Sequence, residues 1–203
     1  DYTITLSNTS GLRAGDMINI QQQNTDSFLK EQGWGHVIGT HYQDKLPQHE
    51  TLAQIKSIDG NKITLATPIL HDMDADITDV TKVNALHNIR VEGLKISYDL
   101  PEADWDYFGS GEPDYEKSIA LYFQGTVGTE VSDVAIVNAP SHHMEFRTNL
   151  NPHVDGFYSD GAHNKGPTGD GYSLQITETH YGVFENMELM NTRHAVTFSS
   201  WHA

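Results

Sequence analysis

Three segments of the chain share one pattern: His87-Asn88-Ile89-Arg90-Val91-Glu92-Gly93, Ser132-Asp133-Val134-Ala135-Ile136-Val137-Asn138 and Glu185-Asn186-Met187-Glu188-Leu189-Met190-Asn191. The seven successive positions of each segment hold a polar residue, Asn or Asp, an apolar residue, any residue, an apolar residue, any residue, and Gly or Asn. The alternation is typical of a strand with one buried face, and Asn, Asp and Gly are turn residues. The segments begin 45 and 53 residues apart. These offsets are about twice one rung of a parallel β-solenoid, so we expect a further rung between each pair.

A second series of strands lies between these segments, at Ile119–Gln124, Met144–Asn149, Tyr172–Thr177 and Ala195–Ser200, with spacings of 25, 28 and 23 residues. Two strands and two turns per repeat are what a parallel β-helix needs to bury its inward side chains between coils. The alternative is an antiparallel sandwich, which requires hairpin turns every 8–12 residues or so. Because this part of the chain lacks such turns, we predict a solenoid.

The first part of the chain has a different character. Short apolar runs at Tyr2–Leu6, Met17–Gln21, Thr51–Ile58 and Lys62–Ile69 predict strands, and Asp59-Gly60-Asn61 predicts a hairpin turn between the last two. Helical periodicity is nearly absent. We therefore predict an all-β protein in which residues 1–82 form a small antiparallel β element and lead-in, and residues 83–203 form parallel β-helix coils with an acidic, aromatic insertion at 99–116.

The charge of the chain limits its partners. The 203 residues include 28 acidic and 12 basic side chains, giving a net charge of −16, and there is no cysteine. Most of this charge lies after residue 96, where 16 acidic residues face 4 basic ones. This balance argues against nucleic acid as a partner, because binding a polyphosphate requires a basic surface. No stretch is long and apolar enough for membrane insertion. The N-terminus lacks the basic-then-apolar pattern of a signal peptide, as expected either for a chain made without one or for a mature product whose signal was removed.

The lead-in carries a resemblance to a known family. Gly11-Leu12-Arg13-Ala14-Gly15-Asp16 precedes a strand, Ile58-Asp59-Gly60-Asn61-Lys62-Ile63-Thr64-Leu65 precedes Pro68-Ile69-Leu70, and Asn88-Ile89-x-Val91-x-Gly93 follows. This arrangement resembles the start of a right-handed, pectate-lyase-like β-helix. The resemblance implies a carbohydrate-active protein, such as a polysaccharide lyase, glycoside hydrolase, epimerase or phage tailspike depolymerase, that is secreted or lies at the cell surface.

The chain stops directly after a predicted strand, at Ser199-Ser200-Trp201-His202-Ala203. An open last coil exposes strand edges and core side chains. We therefore expect either that the C-terminal end is truncated and further coils follow, or that a capping partner covers it.

Alternation along the second strand series assigns the direction of each side chain. With Leu121, Met144, Leu174 and Val196 inward, one outward row contains Tyr122, Glu145, Gln175 and Thr197, and the next contains Gln124, Arg147, Thr177 and Ser199. A register error of one residue reverses this assignment. The family resemblance implies that the outward face of one long sheet is a polysaccharide groove.

Two chemistries fit the residues around this groove. Hydrolysis needs two carboxylates, for which the candidates are Glu145, Asp155, Asp160 and Asp170. β-Elimination on a uronic acid needs a cation, here Arg147 or Arg193, and a base, here His143, Lys165, Tyr172 or His194. Because basic residues are scarce, a polyanionic substrate would also need a bound Ca²⁺. For any single Asp the alternative role is capping of backbone amides at a turn.

The stretch 152–172 is rich in glycine and titratable side chains, and we interpret it as a long loop beside the groove that carries His163 and Lys165. Its Asp155-Gly156 is similar to part of the polygalacturonase motif, but the paired Asp and the Gly-His-Gly sequence are missing. The pairs His142-His143 and Arg193-His194 occupy equivalent places in two repeats, so we expect them close together. They form either a proton-transfer or metal site, or stacked residues at a coil corner.

Two acidic clusters remain. In the insertion, Trp105 and Tyr107 stand among seven carboxylates between Asp99 and Glu116, and this segment either forms a sugar-stacking wall or folds back onto the solenoid. Asp72, Asp74 and Asp76 alternate in a segment that lacks the Gly and final Glu of an EF-hand. This segment is either an irregular calcium site or a solvated linker.

The sequence thus predicts an extracellular polysaccharide-degrading enzyme, a lyase or a glycoside hydrolase. The alternative is a non-catalytic carbohydrate-binding or structural module of an adhesin or tailspike. The residues expected to contact the polysaccharide are Trp105, Tyr107, Tyr122, Gln124, His163, Lys165 and Gln175.

Overall fold

The computed structural model describes residues 2–45, 49–109, 118–166 and 169–199. The chain divides into two compact units, with the boundary between Ala85 and Leu86. No helix in the described ranges is long and apolar enough to cross a membrane.

The first unit is built on an antiparallel sheet with strand order β1-β4-β3-β2-β5. Its core contains Ile18, Ile20, Ile55, Ile63 and Leu65, all buried. The predicted hairpin is present, with Asp59 paired to Lys62. The elements of this unit are β1 (Thr3–Thr5), β2 (Met17–Gln22), α1 (Asp26–Glu31), α2 (His41–Lys45), β3 (Glu50–Asp59), β4 (Lys62–Leu65) and β5 (Thr78–Val83), with 3-10 turns at Gly35–Val37 and Ala75–Ile77.

Two features of this unit differ from the prediction. The helices α1 and α2 have six and five residues, which is too short for an apolar repeat to be visible in the sequence. The start of α1 does carry a local signal, because the Thr25 hydroxyl caps it by accepting a hydrogen bond from the Phe28 amide at 3.3 Å. The sequence also predicts no strand directly after Asp76, whereas β5 pairs with β2 along its whole length.

The second unit is a parallel β-helix, as the repeats predict. Its strands are β6 (Leu86–His87), β7 (Arg90–Glu92), β8 (Lys95–Ser97), β9 (Ile119–Val127), β10 (Glu130–Ala139), β11 (His142–Leu150), β12 (His153–Ala162), β13 (Tyr172–His180), β14 (Val183–Met190) and β15 (His194–Phe198). They form two parallel sheets: one has the order β15-β13-β11-β9-β6, and the other has the order β14-β12-β10-β7, with β8 also paired to β10. Between the sheets, Phe146, Phe157, Ile136 and Leu174 lie in one buried core.

Residues with left-handed backbone stack from coil to coil in four columns. Strand register aligns Asn88, Gly128, Asn151 and Tyr181; Gly93, Asp133, Gly156 and Asn186; Asn138, Gly161 and Asn191; and Gly125, Thr148 and Glu178. Gly and Asn adopt this conformation most easily. The first three columns therefore explain why Asn, Asp and Gly recur in the repeat.

The same columns explain an error in the repeat alignment. Arg90 pairs with Glu130, which is an offset of 40 residues, not 45. Left-handed residues follow one another at intervals of five along each coil, so an alignment shifted by five residues again places Asn, Asp or Gly opposite Asn, Asp or Gly. No rung lies between β7 and β10, which pair directly.

The predicted rung before the third segment exists, and it is β12. The composition of residues 152–172 predicts one long loop, but His153–Ala162 form a full strand between β10 and β14. The glycines of this strand are typical of loops in sequence, yet Gly156 and Gly161 occupy left-handed columns and not a flexible loop. The loop proper begins after Ala162.

Buried hydrogen bonds inside the parallel β-helix hold the turn between its two sheets. The Thr126 hydroxyl donates to Asn149 Oδ1, and Asn149 Nδ2 donates to the Phe123 carbonyl at 3.0 Å. Thr126 also contacts the Thr129 hydroxyl. All three polar side chains are buried, so this network satisfies groups that would otherwise be costly inside the core.

Candidate functional site

The outward face of the β6/β9/β11/β13/β15 sheet carries the two predicted rows, and the register is confirmed. Glu145 pairs with Tyr122 on one side and Gln175 on the other, and Gln175 pairs with Thr197. The second row likewise aligns Gln124, Arg147 and Thr177. The facing core positions Met144, Phe146, Leu174 and Ile176 are buried. We call the two rows the polar ladder.

An ion pair lies at the centre of the polar ladder. Arg147 Nε and Nη2 donate to the same oxygen, Glu145 Oε1, at 3.0 and 2.9 Å. Burial is the largest single influence on the pKa of Arg147 and would lower it. The hydrogen bonds to Glu145 and the charges of Glu145, Tyr122 and Glu178 together outweigh burial, and the pKa is raised. Within the described part of the chain, the second oxygen of Glu145 accepts no hydrogen bond. The Glu145 side chain is only 4% exposed, so the ion pair holds this carboxylate largely out of solvent.

Tyr122 stands beside this pair with 41% of its surface exposed. Partial burial raises the pKa of its hydroxyl, the negative charges of Glu145 and Glu178 raise it further, and Arg147 opposes them. The hydroxyl therefore stays protonated at neutral pH and can donate a hydrogen bond. An exposed ring beside carboxylates also offers an apolar face to a sugar.

Glu178 is a residue that sequence reasoning missed. Its Oε2 accepts a hydrogen bond from the Thr148 hydroxyl at 3.0 Å, and its charge acts on both Tyr122 and Arg147. Glu178 directly follows the predicted strand Tyr172–Thr177, and a single Glu there carries no signal of its own. The signal lies in the register, which aligns Glu178 with Thr148 and Gly125.

This column is strained where it meets the polar ladder. Thr148 has φ of 57° and Glu178 has φ of 45°. Left-handed backbone is costly for such residues, on the order of 1–3 kcal/mol each, and strain of this kind clusters at functional sites. Thr148 directly follows Arg147 in the chain, and Glu178 directly follows Thr177, the residue that pairs with Arg147.

The upper coils of the polar ladder hold further polar atoms. Gln175 Nε2 donates to the Ser199 hydroxyl at 3.1 Å. The hydroxyls of Thr177 and Thr197 are buried and make no hydrogen bond within the described ranges. Such atoms normally find a partner in protein or solvent. A ligand or water at this face would satisfy them.

The histidine pairs are separated by a tyrosine. Tyr172 stacks on His142 with ring centroids 4.8 Å apart, and His194 packs on the other side of Tyr172 at 5.3 Å. The Tyr172 amide donates to His142 Nδ1 at 3.2 Å. Burial lowers the pKa of His142, and the buried Asp170 opposes that shift. The equivalent histidines thus belong to one ring stack along the solenoid, which favours the interpretation as a coil corner.

His143 is fully buried. Neither ring nitrogen makes a hydrogen bond of ordinary geometry within the described residues. Burial lowers its pKa to about 4, and nearby backbone groups of Asp160, Tyr172 and Gly161 oppose the shift only in part. The imidazole is therefore neutral and out of reach of a substrate in this structure.

Lys165 also lies inside the protein. Its Nζ donates to the carbonyls of Asp104 and Trp105 at 2.8 and 3.2 Å and lies 5.1 Å from the centre of the Phe108 ring. Burial lowers the pKa of this amine, while Asp104 and Asp106 oppose the shift. Lys165 thus holds the insertion. Trp105 and Tyr107, which belong to that insertion, are exposed.

The remaining candidates lie elsewhere. His163 Nε2 contacts Asn138 Oδ1 at 2.9 Å, and a guanidinium nitrogen of Arg193 donates to the Gly166 carbonyl. Asp155 and Asp160 lie on the other parallel sheet, where each accepts a hydrogen bond at 2.7 Å from an asparagine of β14 or its end, Asn186 and Asn191. The two aspartates therefore act as partners of left-handed asparagines.

The predicted calcium segment has a local structural role. Asp74 caps the 3-10 turn at Ala75–Ile77, accepting a hydrogen bond from the Asp76 amide at 3.0 Å. Among the residues that the structure describes, no group of three or more His, Cys, Asp or Glu side chains is arranged to hold a metal ion. Asp72, Asp74 and Asp76 thus form no such group, and Ca²⁺ binding stays a prediction from the sequence.

Comparison with known proteins identifies the class of fold. The tailspike protein gp49 of Pseudomonas phage LKA1 superimposes with a TM-score of 0.63 at 17% identity, over 98% of this chain and 28% of the tailspike. Lower TM-scores of 0.49 and 0.36, at 14% and 11% identity, are found for the Pseudomonas phage phi297 tailspike gp61 and the Acinetobacter baumannii bacteriophage AP22 tailspike Gp54. They cover 88% of this chain in both cases, and 32% and 36% of the tailspikes.

The chain is thus a tailspike-like parallel β-helix with an antiparallel sheet in its first unit, and it spans about a third or less of the tailspikes that it matches. No protein-family model matches the sequence. No curated protein matches it.

Proposed function

We propose that the protein binds an extracellular polysaccharide along the polar ladder and hydrolyses it, with Glu145 and Glu178 as the two carboxylates. The observation that carries this proposal is that both carboxylates are fixed at the same place in the sheet. Glu145 holds Arg147 at 3.0 and 2.9 Å. Glu178 directly follows Thr177, the register partner of Arg147, and is held by the Thr148 hydroxyl at 3.0 Å. Glycoside hydrolysis needs a pair of carboxylates around one bond, one to protonate the leaving oxygen and one to assist attack on the sugar.

Hydrolysis fits these residues better than β-elimination. Elimination needs an unpaired cation for the uronate and a base close to it. Arg147 is already paired with Glu145, and its charge is balanced. Of the candidate bases, His143 has both ring nitrogens shielded from solvent, and Lys165 is held by the carbonyls of Asp104 and Trp105. Tyr172 and His194 belong to the ring stack.

The charge of the site selects the substrate class. Glu145 balances the charge of Arg147. The carboxylate of Glu178, beside the polar ladder, therefore gives this surface a net negative charge. A polyanionic chain would be repelled, so the proposed substrate is an uncharged polysaccharide. Tyr122 supplies a ring and a hydroxyl donor, and Gln124 and Gln175 supply amides for sugar hydroxyls.

The experiment is incubation of the full chain with a panel of neutral and acidic polysaccharides, with and without Ca²⁺. Reducing ends and the ultraviolet absorbance of unsaturated ends are followed together. We expect reducing ends on a neutral glycan without unsaturated products. Glu145→Gln and Glu178→Gln should each lower the rate at least a hundredfold, while Glu188→Gln, an exposed carboxylate on the other sheet, should not change it. Unsaturated products would assign a lyase instead.

The second candidate is a non-catalytic glycan-binding or structural module. The double hydrogen bond that ties Glu145 to Arg147 favours it, because a fixed ion pair is a binding element as well as a catalytic one. Tyr122→Ala should then weaken glycan binding while no polysaccharide is cleaved by the parent chain. Neither binding nor cleavage of any glycan would exclude both functions.

A further inference from the structure

A separate cleft lies at the end of the other parallel sheet, where the first part of the insertion passes over the strand ends. It has a volume of about 370 Å³, within the range of small-molecule sites. The polar side chains that line it include Tyr98, Glu102, Asn138, Asp160 and Asn191. None of them belongs to the polar ladder, so a ligand in this cleft would bind independently of catalysis there.

The wall of the cleft is held by one asparagine. Asn138 Nδ2 donates to the Leu100 carbonyl at 2.8 Å, and Asn138 Oδ1 accepts from the Ala103 amide at 3.1 Å. The imidazole of His163 makes a third contact with the same side chain. A single amide thus fixes both ends of the segment 100–103.

The neighbouring coil leaves room for this segment. A Cβ atom on Gly161 would lie 3.4 Å from the Ala103 Cβ, and Gly161 has φ of 76°. The wall thus packs directly against the strand end, and the positive φ favours glycine at this position. Lys165 fixes the continuation of the wall at Asp104 and Trp105. The cleft is therefore preformed, which lowers the entropy cost of binding.

The polar groups of the cleft match hydroxyl groups. Asp160 accepts hydrogen bonds from Asn191 at 2.7 Å and Tyr158 at 3.4 Å, which leaves lone pairs on each oxygen. Glu102 has no hydrogen bond or ion pair within the described part of the chain. A carboxylate accepts from two adjacent hydroxyls at once, as bidentate ligands do.

The charge of the cleft limits the class of ligand that it can bind. Two carboxylates and no Lys, Arg or His line it, so an anion is disfavoured. The described residues offer no group of three metal-binding side chains, which disfavours a divalent cation. Directly after the wall, Trp105, Tyr107 and Phe108 are exposed at 65%, 48% and 62%, and rings of this kind pack on the apolar face of a sugar.

We propose that this cleft is a second saccharide-binding site, specific for an uncharged sugar unit with adjacent hydroxyl groups. Glu102 and Asp160 accept from the hydroxyls, and the amide of Asn191 and the hydroxyl of Tyr98 complete the contacts. Such a site away from the polar ladder would hold a polysaccharide at a second point and raise the apparent affinity through effective concentration.

The test is ligand-observed NMR with the full chain and the methyl glycosides of glucose, galactose, mannose and N-acetylglucosamine, with glucuronate as the charged comparator. We expect weak binding of at least one neutral glycoside and none of glucuronate. Glu102→Ala and Ser97→Trp, which remove a carboxylate and fill the cleft, should each weaken binding at least tenfold. Asp99→Ala, an exposed carboxylate on the same segment that does not line the cleft, should leave binding unchanged.

A substitution in the polar ladder distinguishes the two sites. Tyr122→Ala should retain the glycoside binding that Glu102→Ala loses. The proposal is overturned if no neutral glycoside binds, if glucuronate or Ca²⁺ binds in its place, or if binding is lost in Tyr122→Ala and kept in both cleft variants. Circular dichroism confirms that each variant is folded, and both cleft substitutions are at exposed positions.

Discussion

Arg147 donates two hydrogen bonds to one oxygen of Glu145, two residues earlier on the same strand. Residues i and i+2 of a strand share a face, so the pair forms without any contribution from a neighbouring coil. The carboxylate is buried, whereas 42% of the arginine side chain is exposed. The two partners therefore respond differently to substitution.

Removing Arg147 should cost more stability than removing both charges. Arg147→Met leaves the buried carboxylate of Glu145 without its partner, and we expect a loss of about 1–3 kcal/mol in the free energy of unfolding. In the double variant Glu145→Gln with Arg147→Met, no buried charge remains, and most of that loss should be recovered. Urea unfolding of the single and double variants measures the difference, and an equal loss in both would contradict this expectation.

Stability should fall as the pH drops from about 6.5 to about 4 because of His143. Its pKa is lowered from 6.5 to about 4 in the folded protein. In this interval the unfolded chain binds a proton at His143 and the folded chain does not, so unfolding is favoured at lower pH. The full effect is about 3 kcal/mol.

His143→Gln removes this titration and serves as the comparison. The difference in unfolding free energy between parent and variant should shift in favour of the variant as the pH decreases across that interval. If the difference in unfolding free energy between parent and variant stays constant from pH 7 to pH 4, His143 has the same pKa in the folded and unfolded chain, which would contradict this prediction.

Replacing the strained Thr148 with glycine should stabilise the fold. Thr148 has φ of 57°, which glycine adopts without strain. Relief of this strain outweighs the added freedom of the unfolded chain, and we expect a gain of about 1 kcal/mol. Thr177→Gly is the matched control, because Thr177 lies in ordinary strand backbone and its replacement should destabilise. Thermal unfolding of both variants tests the opposite signs.

The same Thr148→Gly variant should reduce glycan cleavage if Glu178 is one of the two carboxylates. Glycine removes the hydroxyl that holds Glu178 at 3.0 Å. Thr148→Ser keeps the hydroxyl and should keep activity. A variant that is more stable but less active would separate the stability role of this column from its functional role.

Asn149 should be among the most sensitive polar positions. Its side chain is buried and connects the Thr126 hydroxyl with the Phe123 carbonyl. Asn149→Ala removes the donor to the Phe123 carbonyl and leaves the Thr126 hydroxyl with Thr129 alone, and we expect a loss of about 1–3 kcal/mol. Asn186→Ala, an exposed asparagine that donates to Asp155 at 2.7 Å, should cost less than about 1 kcal/mol. Chemical denaturation compares the two variants.

The parallel strands of the second unit were predictable because their core is repetitive. Leu121, Met144, Leu174 and Val196 each stand at the same place in successive coils, and that alternation fixes both the register and the outward row. Strand β12 was not predictable in the same way. Its glycines are typical of loops, and their left-handed positions become visible only when Gly156 is aligned with Asp133.

The residues of the candidate site likewise differ in whether the sequence could predict their position. Glu145 and Arg147 are two residues apart on one strand, so alternation alone assigns them to one face. Glu178 joins them only through register, and Lys165 and His143, with side chains typical of a site, are buried. Burial depends on which segments pack over a residue, which local pattern does not encode.

The sequence by itself determined the all-β class, the parallel coils and the polar ladder, because strand alternation and turn residues are local and recur from coil to coil. Only the tertiary structure decided that Tyr172 separates the two histidines, that Lys165 holds the insertion, and that Asn138 and Gly161 form one side of a cleft. These relationships join residues from different coils and an irregular segment. Their contacts are set by packing distances and not by any period in the chain.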